Sequence, residues 1–66
     1  MKMVSVDSNA ICEVGYDPGS QQMQVKFKQG RSYTFCRVPQ PIYDGLLSAE
    51  SKGTYYNRFI EGKYHC

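Results

Sequence analysis

Tryptophan is absent from this 66-residue chain, and the lone histidine, His65, is the penultimate residue. No window approaches the roughly 18 apolar residues of a membrane span. Met1-Lys2-Met3-Val4-Ser5-Val6-Asp7 also lacks the apolar centre of a signal peptide. A cysteine nucleophile needs a positioned base, and a histidine next to the last residue is poorly placed to be one. The acidic residues show no pairing suited to acid–base chemistry, so no enzyme activity is expected. Cys12, Cys36 and Cys66 make an odd count without a Cys-x-x-Cys spacing, which fits neither a disulfide framework nor a zinc knuckle. The expectation is a cytoplasmic protein with free thiols, Cys12 and Cys36 serving as small core residues, with no metal, no cofactor and no membrane contact.

What is present fits one small domain spanning residues 1–66. A chain this short buries roughly 60% of its unfolded surface, so most of its large apolar side chains are needed inside. Its three Phe and six Tyr are therefore first of all core candidates. The formal net charge of +2 and pI near 8.5 are mildly basic, short of the footprint of a strongly cationic nucleic-acid binder.

The pattern along the chain predicts β-β-β-α-α. Asp17-Pro18-Gly19-Ser20 is a turn, because Pro presets φ, Gly accepts positive φ and Asp can cap. Ala10–Tyr16 before it reads as a strand. Met23–Lys28 after it alternates strictly, placing Met23, Val25 and Phe27 on one face and Gln24, Lys26 and Lys28 on the other. Gln29-Gly30 supplies the next turn, and Arg31–Val38 reads as a third strand in an antiparallel meander. Pro39 and Pro41 end it. Ile42, Tyr43, Leu46, Leu47 and Ala49 then recur at helical spacing, with Gly45 weakening that helix by about 1 kcal/mol. After Ser51-Lys52-Gly53, a short final helix is expected from Thr54 to Glu61. The fold class is α+β, a three-stranded sheet packed against one amphipathic helix. Val14, Met23, Val25, Phe27, Leu46 and Leu47 form its expected core.

These segments resemble the KTSC domain, named for the C-terminus of some lysyl-tRNA synthetases. The resemblance is carried by Val14-Gly15-Tyr16-Asp17, Tyr33-Thr34-Phe35, Val38-Pro39, Tyr43-Leu46-Leu47, the run Ser51–Asn57 and Ile60. Phe35 stands where the family's central motif has a second tyrosine, and the chain departs again in His65-Cys66. Such domains occur fused to the synthetase and as stand-alone bacterial or phage proteins. The resemblance implies a small cytosolic α+β module and, through the synthetase context, RNA binding. It implies no catalytic residue.

Aromatic residues and cations are interleaved from Tyr33 to Tyr64. Flat rings stack on bases and cations attract phosphate, as on surfaces for single-stranded nucleic acid. One face of the third strand carries Arg31, Tyr33, Phe35 and Arg37; the other carries Ser32, Thr34, Cys36 and Val38. Either face can point into the core. If the first is exposed, two stackable rings lie between two guanidinium groups; if it is buried, Tyr33 and Phe35 are packing residues. Lys52, Tyr55 and Arg58 make a second candidate set, in which helix N–H groups and cations hold a phosphate; ordinary capping by Ser51 or Thr54 is the competing reading. Two functions follow: a non-enzymatic module binding RNA or another single-stranded nucleic acid, or a protein-interaction module whose tyrosines and arginines anchor a larger partner.

Overall fold

The computed structural model describes all 66 residues. Four strands form one antiparallel sheet in sequence order: β1 (Lys2–Ser5), β2 (Ile11–Asp17), β3 (Gln22–Phe27) and β4 (Ser32–Phe35). Two helices follow, α1 (Gln40–Ser48) and α2 (Lys52–Phe59). The architecture is α+β as expected, but the sheet has four strands where the sequence suggests three. The extra one, β1, is a mostly exposed edge strand of four residues. Such a segment has no buried face to impose a period, and only its pairing with β2 makes it a strand. Met3 lies across Gly15 there, and a Cβ on Gly15 would come within 2.6 Å of the Met3 sulfur.

The Asp17 turn forms as its residues dictate. Its carboxylate accepts hydrogen bonds from the Gly19 N–H and the Ser20 hydroxyl, both at 3.0 Å. Met23, Val25 and Phe27 do share the inner face, and Tyr33 and Phe35 stand opposite Val25 and Met23 in the register of β3 with β4. The inner face of β4 is thus the Tyr33–Phe35 face, while Ser32 and Thr34 lie on the exposed one. Strand β4 stops at Phe35 rather than Val38, because Arg37 adopts a left-handed conformation (φ 56°) that turns the chain. Val38 then drops fully into the core, its N–H bonded to the Gln21 carbonyl at 2.9 Å.

Ile11, Val14, Met23, Val25, Phe35, Val38, Tyr43, Leu46, Tyr56 and Ile60 make the core. Two expected members lie outside it. Phe27 is half-buried at its margin, and Leu47 is 37% exposed. Tyr43 and Leu46 already supply the inward face of α1, and Leu47 lies about 100° further round the helix.

The expectation of free thiols is corrected for two of the three cysteines. Cys36 and Cys66 form a disulfide, with Cα atoms 4.8 Å apart across a separation of 30 residues. An odd count and wide spacing give no hint of it; folding brings the final residues beside the end of β4, within bridging range. Cys12 is free and half-buried, and sits where the β2–β3 register shifts between Ile11 and Glu13.

Candidate functional site

The seven candidate residues do not form one surface. Arg31 and Arg37 sit beyond opposite ends of β4, whose four residues at about 3.3 Å each hold them more than about 10 Å apart. Phe35 is only 8% exposed and packs edge-on against Tyr56, with ring centroids 5.9 Å apart. It belongs to the core, as a domain this small requires of an inward-facing aromatic. Tyr33 shares that inner face, yet is 41% exposed at the sheet margin.

The second set resolves into structural roles. Ser51 caps α2, its hydroxyl oxygen accepting from the Thr54 N–H at 3.4 Å. Lys52 donates to the Ala49 carbonyl at 3.0 Å, tying its side chain back to the link between the helices. Tyr55 packs from α2 against α1: its hydroxyl donates to the Ile42 carbonyl at 3.0 Å, and its phenol end occupies the space a Cβ at Gly45 would need. Burial raises the Tyr55 pKa above the usual 10.0, and Tyr64 adds to the shift. Arg58 is exposed on the outer side of α2, roughly half a turn round from the Tyr56–Ile60 stripe. Only the capping of α2 follows the sequence reading; the phosphate cradle at its start does not assemble. Asp7 and Glu50 line that end as well, in a groove of about 500 Å³.

The feature the sequence does not single out is a groove between the sheet margin and α2. A hollow of about 350 Å³ is lined by Ala10, Phe27, Gln29, Tyr33, Gly53, Tyr56, Asn57 and Glu61. It meets the larger groove at Ala10, Gly53 and Asn57. Its floor is an aromatic cluster in which Phe27 stands edge-on to Tyr33 (5.7 Å) and to Tyr56 (5.0 Å). Burial raises the Tyr56 pKa, with Glu61 and Tyr33 adding to it, so this hydroxyl stays neutral well into alkaline solution. Gln29 and Asn57, both exposed, are the two carboxamide residues of the lining. Strict alternation in β3 does place Phe27 on the inner face, but Gln29 and Asn57 carry no pattern that brings them together.

Comparison with known proteins decides the family. The KTSC domain model matches residues 7–64. The chain belongs to the KTSC domain family. This KTSC domain is 37% identical over 62 residues to a protein of Tsukamurella paurometabola, covering 94% of the chain and 92% of that relative. It is similar in structure to a KTSC domain protein from Yersinia pestis, with a TM-score of 0.89 and 33% identity over 96% of this chain and 89% of the other. A lysine–tRNA ligase of Nostoc punctiforme is 29% identical over 62 residues, a match covering 94% of this chain and 11% of the ligase. No helix of the KTSC domain is long and apolar enough to cross a membrane.

Proposed function

We propose that this KTSC domain is a small, non-enzymatic module that binds single-stranded RNA, taking an unpaired base into the groove over Tyr33. The half-exposed ring of Tyr33 on the Phe27–Tyr56 cluster carries this reading. Stacking on an aromatic ring contributes about 1–3 kcal/mol per base and tolerates any sequence. Gln29 and Asn57 offer donors and acceptors to a base edge, and Arg31, two residues before Tyr33, offers charge to the following phosphate. The relatedness to a segment of lysine–tRNA ligases supports RNA as the ligand class. Compared with the surface expected from sequence, the proposed site keeps Arg31 and Tyr33, loses Phe35, Arg37, Lys52, Tyr55 and Arg58, and gains Gln29 and Asn57.

Titration of short labelled single-stranded RNA at about 50 mM salt, where phosphate contacts are strongest, tests it. Tyr33→Ala is expected to weaken binding by about tenfold or more, and Arg31→Ala to lower the salt dependence. Tyr33→Ala binding as the wild type does, or no binding below roughly 100 μM at that salt, overturns the reading. Glu61, Asp7 and Glu50 along the joined grooves favour a basic peptide as the second reading. A peptide ligand in place of RNA would be recognised by Tyr33-dependent capture that survives nuclease treatment.

A further inference from the structure

The last residues of the chain lie along the outer edge of β4. Within β4 the odd-numbered residues pair with β3: the Phe27 N–H donates to the Arg31 carbonyl at 2.8 Å, and Tyr33 and Phe35 stand opposite Val25 and Met23. Antiparallel alternation then turns the backbone groups of Ser32, Thr34 and Cys36 outward, away from the sheet. The closing segment meets this edge. The Cys36 N–H donates to the Tyr64 carbonyl at 3.3 Å, and the Cys66 sulfur lies 3.6 Å from the Thr34 carbonyl oxygen. That one long backbone hydrogen bond, the half-buried Tyr64 ring and the Cys36–Cys66 disulfide are what hold the segment there.

We propose that Cys36–Cys66 is a redox-sensitive clasp that decides whether the edge of β4 is covered. A thiolate of a reducing dithiol attacks one sulfur of the bridge, breaking the S–S bond and releasing the other cysteine as a thiolate. The second thiol of the reductant then displaces the first cysteine. Two electrons and two protons reach the protein, giving two thiols, and the reductant leaves as a disulfide. Cys66 is exposed to attack, and Arg37 and Lys63 line a hollow of about 330 Å³ against Cys36, where positive charge favours the departing thiolate. With the bridge open, the segment is left with one 3.3 Å hydrogen bond and the packing of Tyr64. Such weakly held ends open locally while the centre of a sheet stays closed. A freed strand edge is a template for backbone pairing with an extended segment.

The test compares amide exchange and chemical shifts in the full ¹⁵N-labelled chain, oxidised by oxidised dithiothreitol, reduced by dithiothreitol, and as Cys66→Ser. The expected result is a bridge in the oxidised sample that protects Cys36 and Cys66, but not Cys12, from alkylation after denaturation. On reduction, and in Cys66→Ser, the Cys36 and Tyr64 resonances shift, and Cys36 exchanges at least about tenfold faster relative to Val25, whose shift stays native. Three outcomes overturn the proposal. All three cysteines alkylate in the oxidised sample; or the Cys36-to-Val25 ratio stays constant; or reduction and Cys66→Ser both unfold the sheet, making the segment part of the cooperative core.

Discussion

The phenol end of Tyr55 fills the space beside Gly45 that a Cβ would take, so the one glycine inside α1 is a point of contact between the two helices. In sequence, Gly45 reads as a helix defect costing about 1 kcal/mol relative to alanine. In the folded domain it is a socket, and Tyr55 closes it by donating to the Ile42 carbonyl.

Gly45→Ala therefore sets helix propensity against fit. The added Cβ would overlap the Tyr55 hydroxyl and the ring carbon that bears it, and overpacking of this kind costs about 1–3 kcal/mol, more than the gain of about 1. A net loss of about 1–2 kcal/mol is expected in urea denaturation. Tyr55→Phe should lose about 1 kcal/mol through the hydrogen bond alone. A stabilised Gly45→Ala variant would show that the ring moves aside freely.

The apolar residues of the helical half separate into buried and exposed members, which differ in energy. Ile60 is fully buried, and Ile60→Ala should cost about 2–5 kcal/mol, close to the whole margin of so small a domain. Leu47→Ala, at a position expected from sequence to be core, should cost under about 1 kcal/mol because its side chain is already partly solvated. Paired thermal melts check the order, and equal losses would contradict the burial of Ile60 and the exposure of Leu47.

Arg37 occupies left-handed backbone that an L-residue enters at a cost of roughly 1 kcal/mol. Arg37→Gly is expected to be at least as stable as the wild type. Gly30→Ala, at φ 103°, should be destabilised by about 1 kcal/mol although no neighbour stands within 4 Å. Chemical denaturation of both variants measures the contrast, and loss of stability in Arg37→Gly would point to a structural contact of the guanidinium.

The pH limits follow from Asp17 and three tyrosines. Hydrogen bonds from Ser20 and Gly19 lower the Asp17 pKa from its usual 3.8, so its contribution is present above that value and is lost as pH falls further. Burial raises Tyr43, Tyr55 and Tyr56 above 10.0. Folding thus favours their protonated forms, and that stability is present below pH 10.0 and lost as pH rises through the raised values. Phenolate absorbance followed with circular dichroism should show these tyrosines ionising late, together with loss of the fold. All six tyrosines of the chain ionising together near 10.0, with the dichroism unchanged, would show their burial to be wrong.

How much of this was legible divides along physical lines. Local rules located the Asp17 and Gly30 turns, the Met23–Val25–Phe27 face and both helices, because each depends on neighbours within a few residues. The site was much less legible. Arg31, Tyr33, Phe35 and Arg37 alternate in sequence, but alternation does not tell which face of an antiparallel strand meets the helices. Tyr56 of α2, docking on Phe35 and Phe27, made that choice, with Ile60 just beyond the helix completing the core.

The sequence by itself determined the turns, the strand and helix periods and the family motif, since these are written in residues close together along the chain. Tertiary structure alone decided the rest: β1 as a strand, Gly45 as a socket, Tyr33 exposed but Phe35 buried, and Cys36 beside Cys66. Each of these depends on groups distant in sequence, brought together by packing ten buried side chains into one small core.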